Sequence, residues 1–217
     1  MSGNCYIAGA GEFFESTLPG KDDYIIAADG GYAALTSRGI TPDLVVGDFD
    51  SLPPELSKSL SGHPNVIRTP EEKDDTDMML AVRLGLERGY KTFIINGGLG
   101  GRLDQTLANI QILTYIAERN ARGILTGRDV QVTAIRDGEI RFPQDMPKGS
   151  VISVFSAAGK AEGVSLTGLK YPLDNAVITS SYPIGVSNEF IGEPAKVSVE
   201  NGILIIMYPM RLLLCPS

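Results

Sequence analysis

The chain has 217 residues, 43% of them hydrophobic, enough to bury a proper core in one large domain or two small ones, so a folded globular protein is expected. Lys and Arg number 19 against 26 Asp and Glu, a net charge of −7, which argues against broad attraction to nucleic acid or an anionic membrane surface. No stretch approaches roughly 18 uninterrupted apolar residues and the N-terminus lacks a basic segment followed by an apolar one, so neither a membrane span nor a signal peptide is indicated and a cytoplasmic location is expected.

Short β-rich runs alternate with helical patterns from Tyr6 to about Thr126. Tyr6-Ile7-Ala8, Tyr24 to Ala28, Leu44 to Val46, Val66-Ile67, Thr92 to Ile95 and Ile124-Leu125 are strand candidates, an alternation that reads as βαβ units with a mostly parallel sheet. Thr76 can cap a helix with Met79, Val82 and Leu86 on its apolar stripe and Gly89 as its stop. A second helix carries Leu103, Leu107, Ile110, Leu113 and Ala117 at helical spacing.

After Gly127 the texture changes to short strands without helices: Val130 to Ile135, Ile140 to Phe142, Val151 to Phe155, Val164 to Leu166, Val177 to Thr179, Val197 to Val199 and Ile203 to Met207. Asp137-Gly138 and Asn201-Gly202 stand between apolar runs and read as hairpin turns. The expected fold class is α/β: an N-terminal Rossmann-like, mostly parallel sheet with flanking helices over residues 1–127, then an all-β antiparallel sandwich domain over 128–217.

Cys5 and Cys215, one near each end, form neither a disulfide framework nor a zinc site, and buried or idle thiols are expected. The chemistry lies instead in four acidic segments, each beside a strand run or opening a helix: Ala28-Asp29-Gly30-Gly31, Gly47-Asp48-Phe49-Asp50-Ser51, Lys73-Asp74-Asp75-Thr76-Asp77 and Gly100-Gly101-Arg102-Leu103-Asp104. Carboxylates distant in sequence gather when each sits at a strand end of an open α/β sheet, where such folds bind ligands. Asp48 and Asp50 offer hard oxygens suited to Mg²⁺, while the same segment also reads as an Asp-rich turn before Pro53-Pro54. Asp74 and Asp77 fall on one side of a helix start, where acids often only complement the dipole; with Asp75 and Thr76 sufficient for a cap, Asp77 is free to reach into a crevice.

Gly97-Gly98-Leu99-Gly100-Gly101-Arg102 lies between a strand and a helix, where glycines let backbone N–H groups approach a phosphate, and Arg102 can bind one in bidentate fashion. The segment is neither GxxxxGK[ST] nor GxGxxG, so P-loop and dinucleotide mechanisms have no motif support. A plain loop is the alternative. The single His63 reads as a surface loop residue, and no Ser-His-Asp or Cys-His arrangement can be built. Phosphoryl chemistry, in which metal, positioning and electrostatics supply most of the catalysis, fits better.

The ordered series ADGG (Ala28 to Gly31), PDLVVGDFDS (Pro42 to Ser51), KDDTD (Lys73 to Asp77), GGLGGRLDQ (Gly97 to Gln105) and SNE (Ser187 to Glu189) resembles the thiamine pyrophosphokinase family across nearly the whole chain. The resemblance implies a homodimer whose N-terminal domain binds ATP and Mg²⁺ and whose C-terminal β-domain helps form a thiamine pocket across the dimer interface. It implies transfer of the terminal diphosphate of ATP to the thiamine hydroxyl, releasing AMP. By motif position Asp48, Asp50 and Asp77 become metal ligands, with Asp29, Gly30 and Asp74 close to nucleotide and metal; Lys73, Gly98 and Arg102 become phosphate contacts. Asp104 and Gln105 would face the thiamine, and Ser187 and Asn188 would line its pocket.

Two departures from the family pattern stand out. Many members have His where this chain has Gln105, and the family often stacks thiamine on a tryptophan after a GLK sequence, whereas this chain has no Trp and places Tyr171 after Gly168-Leu169-Lys170. Tyr stacks with a smaller face, or serves as an amphipathic strand-end residue. The rival readings are a diphosphokinase acting on a pterin-type hydroxymethyl heterocycle and a non-catalytic nucleotide or thiamine binder; against the second stands the cost of burying so many acids without a cation.

Overall fold

The computed structural model describes residues 3–50, 52–70 and 75–210, which fall into two compact units: Met1–Asn109 with Leu125–Arg128, and Ile110–Ile124 with Asp129–Arg211, as far as these are described. In the first unit β1 (Cys5–Ala8), β2 (Tyr24–Ala28), β3 (Leu44–Gly47), β4 (Val66–Arg68) and β5 (Thr92–Asn96) pair in parallel in the order β5-β1-β2-β3-β4. β1 and β3 are buried at every residue, which is why they read as unbroken apolar runs without alternation. The connections run outward from β1 through β2 and β3 to β4, then return to the other side of β1 for β5.

Helices α1 (Gly31–Thr36), α2 (Pro54–Ser61) and α3 (Asp77–Glu87) follow β2, β3 and β4. α3 starts where its sequence signal says: the Thr76 hydroxyl accepts from Met79 N–H at 3.1 Å, and Gly89 lies beyond the end with φ +86°. Its buried stripe differs from the expected one. Met78, Ala81, Val82 and Gly85 face the core, whereas Met79 and Leu86 are half-buried; Gly85 belongs because a Cβ there would meet the Phe93 ring at 2.5 Å, so the helix backbone lies directly against that side chain.

α4 (Leu103–Glu118) corrects the other predicted stripe: Leu113 and Ala117 are buried beside Ile112 and Ile116, but Leu103 is 81% exposed and Leu107 57%. Its residues to Asn109 belong to the first unit and from Ile110 to the second. β6 (Arg122–Thr126) is shared in the same way, with Thr126 Oγ1 donating to the Ile95 carbonyl at 3.2 Å and the Gly123 carbonyl accepting from Thr133 Oγ1 at 2.7 Å.

The second unit holds β7 (Val130–Arg136), β8 (Glu139–Phe142), β9 (Val151–Ser156), β10 (Lys160–Thr167), β11 (Leu173–Thr179), β12 (Asn188–Glu189), β13 (Ala195–Ser198) and β14 (Ile203–Pro209). They form two antiparallel arrays, β12-β9-β14-β7 and β11-β10-β13-β8. Ile152, Val154, Leu204 and Ile206 from the first share one core with Phe142, Val164, Leu166 and Val197 from the second.

The two turns expected to close hairpins do something else. Asp137-Gly138 carries the chain from β7 in one array to β8 in the other, and Asn201-Gly202 carries it back from β13 to β14. The crossovers are clipped together: Gly202 N–H donates to Asp137 Oδ1 at 2.9 Å, and Asp137 N–H donates to the Gly202 carbonyl at 3.1 Å. Asp137 has φ +44° and Gly202 φ +120°, so the turn residues were chosen for left-handed backbone, as in a hairpin, but at a corner between sheets.

Cys5 is a free, buried thiol in β1, pushed up to about 12 by burial, while Cys215 lies outside the described residues. His63 is half-buried and not a free surface residue: Nε2 lies 2.9 Å from the Pro42 carbonyl and the ring edge meets Tyr32. No helix among the described residues is long and apolar enough to cross a membrane.

Candidate active site

The C-terminal ends of the parallel strands collect the acidic segments. Asp29 follows β2 with φ +48°, its N–H bonded to the Val46 carbonyl at 2.8 Å. Asp48 follows β3 after Gly47, where a Cβ would come within 3.1 Å of Asp29 Cα, so glycine is what lets these two strand ends close up. Asp48 Oδ1 accepts from Asp50 N–H at 3.2 Å, folding the segment into a tight turn. The residue between them, Phe49, is buried with φ +64°. Asp77 opens α3, and its Oδ1 accepts from Thr69 Oγ1 at 3.3 Å; Thr69 N–H in turn donates to the Gly47 carbonyl at 3.0 Å.

These carboxylates feel one another. Burial pushes the Asp29 carboxyl above its usual range, and the charges of Asp48, Asp77 and Asp50 push it the same way against the backbone N–H of Gly30. Asp29 Oδ1 is buried with no hydrogen-bond partner. A buried acceptor among three other acids is costly unless a cation or donor reaches it. Even so, among the described residues no three acidic, His or Cys side chains stand close enough together to form a metal-binding group. Asp50 is exposed, while Asp48 and Asp29 are half-buried. Lys73 and Asp74 lie outside the described residues.

A second feature lies beside the first, between the ends of β1 and β5, where the strand order reverses direction and open α/β sheets bind ligands. Gly9 N–H donates to the Asn96 carbonyl at 2.7 Å and Gly11 N–H to the Gly97 carbonyl at 2.9 Å. The loops touch through backbone alone: Gly97 has φ +76°, and a Cβ there would lie 2.5 Å from the Gly9 carbonyl oxygen. A Cβ on Gly30 would lie 2.9 Å from the Ala10 methyl, so the glycine floor adjoins the acidic group. Gly98 is buried, its carbonyl accepting from Asn109 Nδ2 at 2.8 Å.

At the mouth of that loop Arg102 and Asp104 form an exposed two-point pair, Nη2 to Oδ2 at 2.6 Å and Nε to Oδ1 at 3.2 Å, and Asp104 Oδ1 also accepts from Gln105 N–H at 3.0 Å. The Arg102 hydrogen bond holds the Asp104 carboxyl below its usual range. Gln105 itself is exposed. Asn96 and the Gly9/Gly11 pair escaped the sequence reading. Asn96 is fully buried and its amide binds Phe14 N–H, the Phe14 carbonyl and the Tyr6 hydroxyl, holding the segment after β1; a short glycine pair behind a buried strand was the available signal.

In the second unit the SNE segment forms β12. Asn188 is 3% exposed, and its side chain is consumed by backbone: Nδ2 donates to the Tyr171 carbonyl at 2.7 Å and Oδ1 accepts from Tyr171 N–H at 3.0 Å and Glu189 N–H at 2.9 Å. Ser187 has φ +59°, with its N–H donating to Ser153 Oγ at 3.1 Å. Tyr171 is 56% exposed, and Lys170 Nζ, paired with Glu189, stands 5.3 Å from its ring centroid. Tyr171, Ser187 and Asn188 are thus brought to one place, with a presented aromatic face.

Comparison with known proteins assigns this architecture. The family model described as "Thiamin pyrophosphokinase, catalytic domain" matches residues 16–125, and "Thiamin pyrophosphokinase, vitamin B1 binding domain" matches residues 138–204. The chain is 32% identical over 183 residues to thiamine pyrophosphokinase of Bacillus subtilis, covering 84% of this chain and 85% of that one. It is similar to the crystal structure of thiamine pyrophosphokinase from Bacillus subtilis (TM-score 0.84, 29% identity, 97% of this chain and 100% of that one). It is also similar to that of thiamin pyrophosphokinase from Geobacillus thermodenitrificans (TM-score 0.82, 28% identity, 95% and 97%). With both family models matched in order and a relative of this identity spanning most of both chains, the protein belongs to the thiamine pyrophosphokinase family.

Proposed function

We propose that the two strand-end features and the Tyr171 face are the parts of one reaction, the transfer of the terminal diphosphate of ATP to thiamine with release of AMP. That the chain is an enzyme pyrophosphorylating thiamine follows from its family. The observation that carries the finer reading is the buried, unpartnered Asp29 Oδ1 amid Asp48, Asp50 and Asp77, a carboxylate set whose repulsion a divalent cation would relieve. We assign Asp48, Asp50 and Asp77 to hold Mg²⁺, with Asp29 and Asp74 beside them; bound there, the ion neutralises charge on the phosphate chain.

The first domain, residues 1–127, binds the nucleotide in Rossmann-like fashion: Gly30 and Gly98 bring backbone close to the phosphates, and Lys73 and Arg102 bind phosphate oxygens. The thiamine hydroxyl oxygen attacks the β-phosphorus, the bond from that phosphorus to the oxygen bridging it to the α-phosphate breaks, AMP departs, and the hydroxyl proton passes to Asp77 or Asp104. The second domain, residues 128–217, binds thiamine and dimerises. Tyr171 stacks on the acceptor ring; Asn188 and Ser187 fix the pocket wall with Asp104 and Gln105 facing the acceptor. The vitamin B1 binding match over 138–204 supports this division, and the exposed Val151, Val177, Tyr182, Ile184 and Val186 support a homodimer with the thiamine site at its interface. The enzyme works in the cytoplasm.

Incubation with ATP, Mg²⁺ and thiamine, followed by identification of the nucleotide product, tests the reading. AMP with thiamine diphosphate supports it; ADP would mean simple kinase chemistry, and tight binding without turnover would mean a binder.

A further inference from the structure

Arg68 is the final residue of β4 and the strand partner of Gly47, the residue before Asp48. Its guanidinium carbon stands 5.4 Å from the centroid of the Phe49 ring. That ring is only 5% exposed and its backbone is left-handed, so it is a fixed platform set between Asp48 and Asp50. Stacking engages the flat face of a guanidinium and leaves its N–H edges for acceptors in the same plane. Arg68 is exposed, and among the described residues no ion pair joins it to a carboxylate, although Asp29, Asp48 and Asp50 follow the adjoining strand ends and Asp77 opens α3.

We propose that Arg68 is a further phosphate-binding residue, which takes the outer oxygens of the nucleotide's phosphate chain while its guanidinium lies over the Phe49 ring. The inference rests on the placement of the phosphate chain at Asp48 and Asp50 under the proposed function. Four acids at one crevice repel a polyphosphate, and a cation within that crevice answers only the oxygens it touches. A guanidinium at the rim, within cation–π range of the Phe49 ring and with no ion-pair partner among the described residues, supplies the next positive charge outward and two donors of matching geometry. The alternative is that Arg68 only pins the Phe49 turn.

Arg68→Gln and Arg68→Lys separate these roles when ATP and thiamine are varied in turn and binding of a non-cleavable ATP analogue is measured by calorimetry. The expected result for R68Q is a rise of about tenfold in KM for ATP and in the analogue's Kd, with KM for thiamine within about twofold and Tm unchanged. R68K should fall between, since it keeps the charge and loses the planar fork. An unchanged Kd for R68Q overturns the proposal, as does an equal rise in both KM values with a lowered Tm, which marks a displaced turn. Failure of the wild-type protein to convert thiamine would count against the functional reading alone, because the analogue's Kd tests Arg68 without turnover.

Discussion

The amide of Asn188 and the backbone of Tyr171 hold each other through two reciprocal hydrogen bonds, 2.7 Å from Nδ2 to the Tyr171 carbonyl and 3.0 Å from Tyr171 N–H to Oδ1. Asn188→Ala strands the Tyr171 N–H and carbonyl and the Glu189 N–H, and is expected to cost about 2–3 kcal/mol in urea unfolding while raising KM for thiamine. Tyr171→Ala separates the two effects. The ring is mostly exposed, so stability should change by less than about 0.5 kcal/mol while thiamine affinity falls; Tyr171→Phe should bind nearly as well as wild type.

Asp48→Asn should cripple turnover, by about a hundredfold or more, with the melting curve preserved, because the change keeps shape and removes the charge proposed to hold the cation. Near-normal activity with a normal melting curve would remove Asp48 from the metal site.

Asp29 gives a pH prediction. A carboxyl whose folded-state pKa is raised binds its proton more readily in the folded chain, so the native state loses stability as pH climbs from the ordinary carboxyl range through the raised value. Metal-free protein should therefore melt higher at mildly acidic pH than at neutral pH, and Asp29→Asn, which tolerates the left-handed backbone, should raise Tm at neutral pH by about 2 °C. Added Mg²⁺ should stabilise the wild type more than this variant; equal stabilisation would show that Asp29 does not sense the ion.

Two glycines of one loop should respond differently. Gly97→Ala drives a methyl into the Gly9 carbonyl and is expected to cost about 2–4 kcal/mol and to weaken ATP binding. Gly101, at φ +67° with nothing within 4 Å of an added Cβ, should cost only about 1–2 kcal/mol of backbone strain on conversion to Ala. Differential scanning calorimetry with and without ATP distinguishes them.

The sequence reading located the five parallel strands of the first unit to within one residue at each end, with both ends of Tyr24–Ala28 matched, and β6 to within two at Arg122–Thr126, because strands buried on both faces announce themselves as apolar runs. It found the acidic segments because each carries its own carboxylates. It did not find β12, whose two residues are polar and gain strand geometry only by pairing with Val151 and Ile152. It placed Leu103 and Leu107 in the core because helical periodicity reports a face and says nothing of where that face ends along the helix. The hairpin signals at Asp137 and Asn201 failed for a related reason: turn chemistry fixes left-handed φ, and which sheet the next strand joins is decided by contacts far away in sequence. Asn188 was expected to line the thiamine pocket; what its residue type could not reveal is that its amide is spent on Tyr171.

β14 also sets an order of assembly for the second unit. It pairs along its whole length with β7, from Ile203 opposite Arg136 to Pro209 opposite Val130, and on its other side with β9. Until Pro209 has left the ribosome, β7 and β9 have no common neighbour and their array cannot close. Folding of this unit must therefore wait for its most sequence-distant pairing, so a nascent chain halted before Ile203 should be captured by chaperones with residues 130–199 sensitive to protease.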